Sequence, residues 1–166
     1  VCLRPLPELG KRCAGEGVGG ILAEKVQRAV AQGANLVCGG NRAPGKGYFF
    51  EPTVLTNVDN SMDIMQEETF GPVLPIAIFD TLDQVIALAN DSAFGLTSSV
   101  YTTNLNEAFY VIRRLQFGET YLNRENFEAM QGFHAGWKQS GIGGADGKHG
   151  LEEYLQTQVV YLETDI

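Results

Sequence analysis

The sequence has few of the residues that build disulfide scaffolds and metal sites, and it has no long apolar run. Its 166 residues include three cysteines and two histidines. Because Cys2, Cys13 and Cys38 are an odd number without close pairs, they argue against a disulfide scaffold and favour a reducing compartment. Two histidines and scattered cysteines do not give the ligand spacing of a zinc site. No apolar run approaches about 18 residues, so the sequence predicts no membrane-spanning helix.

Basic residues are also scarce, with 12 against 20 acidic residues and a net charge of -8. Such a surface repels phosphate backbones, so we expect no nucleic-acid partner. The hydrophobic share of 44% is typical of a globular chain. The N-terminus lacks an apolar signal core, and we therefore expect a cytoplasmic protein. Since the chain opens with Val1 and not Met, we also expect that it was cut from a longer protein.

Apolar periodicity predicts a helix and several strands in the first half of the chain. Leu22, Val26, Ala29 and Val30 repeat on one helix face, and Gly33 stands where a C-terminal cap belongs. A short strand over 35–38 follows. The stretch 48–55 is extended, and Pro52 within it predicts an edge position.

Residues 73–123 alternate between strand and helix patterns. Strands are expected at 73–79, 96–101 and 118–123, separated by helices that Thr81 and Asn104 begin. This order predicts an α/β fold with a parallel sheet and right-handed crossover helices. The chain then forms a long polar loop to about Gly150, and a last strand is expected over 159–162. Residues 1–20 contain Pro5 and Pro7, which predict an irregular head.

Two glycine-rich stretches invite a functional interpretation. Gly15, Gly17 and Gly20 have the spacing of a dinucleotide-binding loop, but no strand precedes them and no acidic residue follows at the required place. The run 138–144 carries enough glycine to predict close backbone approach, either to a ligand or between packed elements.

Two polar segments are candidates for ligand binding. In 67–72, a carboxylate beside an aromatic ring and a Gly-Pro turn could hold ribose hydroxyls while the ring packs on a flat heterocycle. Composition alone favours an ordinary acidic turn there. The second segment mixes polar groups suited to a small hydroxylated substrate, although a solvated loop is the common case. Its members are Glu119, Asn123, Arg124, Glu125, Glu128 and His134.

Several of these segments, in this order, resemble the aldehyde dehydrogenase superfamily. The stretch 67–72 resembles its Glu-x-Phe-Gly-Pro signature. The pattern Lys138-x-Ser140-Gly141-x-Gly143 and the run Gly150-Leu151-Glu152-x-Tyr154 resemble its closing signatures. The run 118–161 is most similar to members that oxidise lactaldehyde and glycolaldehyde to the acid.

The resemblance implies roles for four residues. Glu68 would hydrogen-bond the nicotinamide ribose of NAD, or of NADP, and Phe70 would lie beside the nicotinamide. Glu128 and His134 would contact a small hydroxyaldehyde substrate. Residues 21–156 would be the C-terminal part of a catalytic domain, and 157–166 an oligomerisation strand that makes a homo-oligomer.

The same resemblance implies that no catalytic residue lies in this chain. The family's nucleophilic cysteine, general-base glutamate and NAD-binding domain lie upstream of the matching segments. Cys2 follows a valine, as the nucleophile often does, but its neighbours do not fit. We therefore expect the chain alone to be inactive. The alternative is a truncated, catalytically inactive remnant that acts only through association.

Overall fold

The computed structural model describes residues 11–12 and 18–164. The chain divides into two compact units, which are Val1–Thr81 and Leu82–Ile166. Cys2, Gly15 and Gly17 lie outside the described residues, as does most of the predicted head. None of the helices in the described ranges is long and apolar enough to cross a membrane.

The first unit contains two helices and five strands among its described residues. They are β1 (Lys11–Arg12), α1 (Val18–Ala31), β2 (Asn35–Cys38), β3 (Phe49–Phe50), β4 (Thr53–Thr56), α2 (Asp63–Gln66) and β5 (Val73–Pro75). α1 confirms the predicted helix and begins three residues before Ile21. Gly33 follows it with a φ of 112° and caps its end, as predicted.

A three-stranded sheet in the order β2-β4-β5 lies in this unit. β4 runs antiparallel to β2 and parallel to β5. The predicted edge position of 48–55 is therefore wrong, because β4 is the central strand. Pro52 precedes β4, so its lack of an N–H removes no hydrogen bond from the ladder, and the amide of Thr53 donates to Pro72 over 2.8 Å.

The core of the first unit forms between α1 and these strands. Leu22, Val26 and Ala29 are at most 2% exposed, whereas Val30 is 42% exposed. The buried cluster is apolar throughout and consists of Leu22, Val26, Ala29, Ala34, Phe50, Leu55, Val58, Met62 and Ile64. Burial of this face of α1 gives the first unit its hydrophobic stabilisation.

The second unit contains three helices and six short strands among its described residues. They are α3 (Leu82–Asn90), β6 (Phe94–Gly95), β7 (Thr97–Val100), α4 (Leu105–Ile112), β8 (Glu119–Leu122), β9 (His134–Ala135), β10 (Trp137–Lys138), β11 (Gly144–Ala145) and α5 (Gly147–Glu152). The side chain of Asn104 accepts hydrogen bonds from the amides of Asn106 and Glu107, which confirms the predicted cap of α4. β7 and β8 pair in parallel.

The α/β class is confirmed, but the single parallel sheet over 73–123 is not. β5 finds its parallel partner in β4, upstream in the chain, while β7 and β8 form a sheet of their own. The expected long loop after Asn123 also contains structure. β10 pairs with β6 and β11 pairs with β9, both antiparallel.

The last predicted strand is absent from the described residues. Residues 159–162 have no strand partner, and their side chains are between 65% and 94% exposed. A strand needs a neighbour to satisfy its amides, and the described residues supply none here. The oligomerisation role of this segment stays a prediction.

Candidate functional site

The segment 67–72 of the first unit is tied to α1 through Lys25. Nζ of Lys25 lies 3.0 Å from Oε2 of Glu67 and donates to the carbonyl of Glu68 over 2.8 Å. The hydrogen bond and charge of Lys25, with a smaller contribution from Arg28, hold the pKa of Glu67 below its ordinary value, against partial desolvation. Glu67 is thus a structural residue of this segment.

Gly71 allows this segment to lie directly on the helix. A Cβ at Gly71 would stand 2.4 Å from Cδ1 of Leu22, so any larger residue would displace a buried side chain. The neighbouring Pro72 carbonyl accepts the amide of Thr53, which connects the segment to β4. The backbone on both sides of Phe70 is therefore fixed.

The two predicted cofactor residues, Glu68 and Phe70, are both exposed on this segment. The carboxylate of Glu68 makes no hydrogen bond or ion pair with any residue that the structure describes. The ring of Phe70 is 68% exposed. A free acceptor and an exposed ring, two residues apart, match the requirements for a ribose hydroxyl and a flat heterocycle.

The second unit holds a cluster of three polar side chains, Glu119, Tyr121 and His134. Oε2 of Glu119 accepts a 2.8 Å hydrogen bond from the hydroxyl of Tyr121. The same oxygen lies 3.2 Å from Nδ1 of His134, and the two side chains are 13% and 32% exposed. Glu119 and Tyr121 share a face of β8 because side chains two apart in a strand point the same way.

Glu128 and Arg124 add charge around this cluster. Burial first, then the hydrogen bond to Glu119 and the charges of Glu119 and Glu128, raise the pKa of Tyr121, while Arg124 opposes them. The guanidinium of Arg124 lies 5.6 Å from the centre of the Tyr121 ring. Glu128 itself is exposed. Tyr121 therefore stays protonated at neutral pH and donates to Glu119.

Tyr121 was not predicted as a site residue, although the alternation of β8 already placed it beside Glu119. The cluster unites Glu119 and His134 from the predicted set. Asn123 instead has a structural role, because its side chain accepts the amide of Thr102 and donates to the Thr102 carbonyl.

The glycine-rich run 138–144 also has a structural role. Nζ of Lys138 donates to the carbonyls of Asn90 and Ser92 at 2.7 and 2.9 Å. The hydroxyl of Ser140 accepts the amide of Gly95 over 2.9 Å. Of the two alternatives for this run, the structure supports a tight path between packed elements. Within 11–12 and 18–164, no group of three side chains could hold a metal ion.

Residues 21–160 match the family model for the aldehyde dehydrogenase family. The chain belongs to the aldehyde dehydrogenase family. It is 66% identical over 141 residues to lactaldehyde dehydrogenase from Escherichia coli strain K12. This alignment covers 85% of this chain and 29% of that relative.

Solved structures agree with this assignment. The crystal structure of lactaldehyde dehydrogenase from Escherichia coli matches with a TM-score of 0.87 at 62% identity, covering 90% of this chain and 31% of that one. A betaine aldehyde dehydrogenase from Staphylococcus aureus in complex with NAD+ matches with a TM-score of 0.79 at 40% identity, covering 84% and 28%. The chain thus spans about a third of the length of these relatives, and solved relatives bind NAD or NADP.

Proposed function

We propose that this chain supplies one part of an NAD-dependent dehydrogenase that oxidises a small hydroxyaldehyde, such as lactaldehyde or glycolaldehyde, to the acid. The observation that carries this proposal is the contact of His134 with the largely buried Glu119. This contact supports a ligand-binding role for the imidazole, because it lies in a segment that is 66% identical to a lactaldehyde dehydrogenase. NADP is the alternative cofactor.

Glu68 and Phe70 would hold the nicotinamide half of this cofactor, which would supply the hydride acceptor. The Glu68 carboxylate would accept hydrogen bonds from ribose hydroxyls, since no described residue occupies it. The Phe70 ring would pack beside the nicotinamide. The contacts of Lys25 and Gly71 keep both residues in place before the cofactor binds, which lowers the entropy cost of binding.

His134 and Glu128 would recognise the hydroxyl next to the aldehyde. A substrate hydroxyl can both donate and accept a hydrogen bond, so one imidazole nitrogen and one carboxylate oxygen satisfy it. An alkyl aldehyde would leave these groups unpaired, and this difference would favour hydroxyaldehydes.

We further propose that the 166-residue chain alone has no dehydrogenase activity. By the family resemblance, the nucleophilic cysteine and the general base belong to segments outside 21–160, and binding residues cannot replace them. The test is NADH formation from lactaldehyde and NAD by the purified chain. We expect the purified chain to form NADH no faster than a heat-killed control. A higher rate that Cys2→Ser abolishes would overturn the proposal and make Cys2 the nucleophile.

The dehydrogenase proposal itself needs a complete enzyme. Residues 21–160 can replace the matching segment of Escherichia coli lactaldehyde dehydrogenase. We call the resulting chimera the grafted enzyme. We expect it to oxidise lactaldehyde with NAD, and Glu68→Gln to raise the KM for NAD more than it changes the KM for lactaldehyde. A folded grafted enzyme that uses betaine aldehyde but not lactaldehyde would contradict the substrate assignment.

Association is the second candidate role, and the exposed apolar segment 159–162 favours it. Val159, Val160, Tyr161 and Leu162 leave a contiguous apolar stretch in water, which is a template for pairing. Light scattering should detect an oligomer of the chain at tens of micromolar. A clean monomer, unchanged by deletion of residues 157–166, would contradict association through this segment.

A further inference from the structure

The environment of Nδ1 of His134 has a feature that the proposed substrate contact does not use. Nδ1 is buried and lies 3.2 Å from Oε2 of Glu119, yet no acceptor among the described residues is aligned with it for a hydrogen bond. A buried polar atom at this distance from a carboxylate is an electrostatic contact that a small ring rotation converts into a hydrogen bond. Such contacts in unliganded sites often tighten when a ligand binds.

The backbone brings the two side chains together. A Cβ on Gly118 would stand only 1.6 Å from the carbonyl oxygen of Ala135, so the chain at 118 lies against the chain at 135. Glu119 follows Gly118 and His134 precedes Ala135. The close approach that only glycine permits therefore places the carboxylate beside the imidazole.

We propose that Glu119 is a positioning residue for His134. Its carboxylate keeps a proton on Nδ1, which leaves Nε2 as the ring nitrogen that hydrogen-bonds the substrate hydroxyl. The inference rests on the proposed function, and it adds the residue and the tautomer by which that function would select hydroxyaldehydes.

The chemistry of the pair requires this proton position. A bare Nδ1 would direct its lone pair at an anionic oxygen, and the two would repel each other. A protonated Nδ1 instead presents an N–H to the negative charge. Because the ring nitrogens share one proton in neutral imidazole, fixing it on Nδ1 makes Nε2 an acceptor. The hydroxyl of Tyr121 donates to the same carboxylate oxygen, Oε2, and helps to hold it in place.

Two further charged groups, Glu128 and Arg124, both act on Tyr121. Arg124 also donates to the carbonyl of Phe127 over 2.9 Å, so its charge is held within its own loop. Among the described residues, Glu119 is the group of these three that lies at ion-pair distance from His134.

Nitrogen NMR of the ¹⁵N-labelled full chain tests this assignment without substrate. The chain has two histidines, His134 and His149, so both imidazoles can be assigned through His134→Gln. We expect the proton of neutral His134 on Nδ1. In Glu119→Gln the ring should move to the mixture of tautomers found in water, and in Tyr121→Phe it should stay on Nδ1. Nδ1 of His149 lies 3.5 Å from Oε2 of its own carboxylate partner, Glu152, so the signals of His149 should stay the same in both variants and control for indirect effects.

A neutral His134 with its proton on Nε2 in the unaltered chain would overturn the proposal, whether or not Glu119→Gln folds. An unchanged tautomer in a folded Glu119→Gln chain would overturn it too. In the grafted enzyme, Glu119→Gln should lower kcat/KM for lactaldehyde about tenfold, because the loss of one neutral hydrogen bond has an effect of this size. The kcat/KM for propanal should stay the same. If His134 carries the Nδ1 proton but His134→Ala has no effect on substrate choice, the proposed function fails and the positioning contact stands.

Discussion

The two units of the chain are stabilised in different ways. The first unit has nine buried apolar side chains in one cluster between α1 and its sheet. In the second unit, the buried hydrophobic residues among those described are Ile86, Ala108, Val111 and Tyr121. The hydrophobic contribution per residue is therefore larger in the first unit.

In the second unit, hydrogen bonds between side chains and the backbone contribute more to holding the described residues together. The side chain of Asn90 donates through Nδ2 to the Arg114 carbonyl over 2.8 Å, and its Oδ1 accepts the backbone amide of Gln116 over 2.8 Å. Asn123 binds both backbone groups of Thr102. Such bonds are directional, so they place loops accurately while each adds little net stability. The comparison suggests that the proposed cofactor residues stand on an apolar core and the proposed substrate residues on a polar framework.

Truncation of the apolar core should give the largest loss of stability. Leu55 in β4 is fully buried, so Leu55→Ala removes buried methyl groups and leaves a cavity in the first unit. We expect it to lower the free energy of unfolding by about 2–5 kcal/mol in urea titrations followed by circular dichroism.

Leu74→Ala is the matched control for this substitution. Leu74 lies in the neighbouring strand β5, opposite Val54, and is 56% exposed. Its loss should change stability by less than half as much. Equal effects of the two substitutions would contradict the assignment of the core to the Leu55 face.

Close backbone packing in the second unit can be disturbed through Gly118. Gly118→Ala places a methyl group against the carbonyl of Ala135, and backbone cannot move aside cheaply. We expect the free energy of unfolding, measured by urea titration, to fall by about 1–3 kcal/mol. The NMR signal of His134 should also change.

The control for Gly118→Ala is Gly20→Ala in α1, where an added Cβ meets nothing within 4 Å. Alanine should stabilise this helix by about 0.5–1 kcal/mol because it restricts the unfolded chain. If both substitutions stabilise the chain, the tight contact at Gly118 does not exist in solution.

The smallest expected effect concerns the ion pair that ties 67–72 to α1. A carboxyl whose pKa is lower in the folded than in the unfolded chain stabilises the fold above its unfolded pKa. It loses that contribution as the pH falls through the folded pKa. Glu67→Gln should therefore be less stable than the unaltered chain at pH 7, and the difference should vanish in acid. A difference that persists in acid, where the carboxyl is protonated in both the folded and the unfolded chain, would point to packing rather than charge.

Much of the local structure was predictable because it follows local rules. Apolar spacing predicted α1, and the side chain of Asn104 predicted the start of α4. Strand partners could not be predicted in the same way, because they depend on contacts far apart in the sequence. Pro52 suggested an edge, yet the strand that follows it is central. Two-residue strands such as β9 and β11 are too short to show any periodicity.

The candidate site divides along the same line. The roles of Glu68, Phe70, Glu128 and His134 came from the family resemblance and stay proposals. The sequence grouped Glu119 and His134 in one polar set, but their direct contact came from the structure, since they lie 15 positions apart. This contact depends on the approach of Gly118 to Ala135, which is set by the folded second unit.

The most direct test of the account is substrate choice in the grafted enzyme with His134→Ala. The measurement is kcat/KM for lactaldehyde and for propanal, which differ by the hydroxyl. We predict a loss of about tenfold or more for lactaldehyde and little change for propanal, because the hydroxyl loses its partner. Equal losses for both aldehydes would contradict recognition of the hydroxyl by His134.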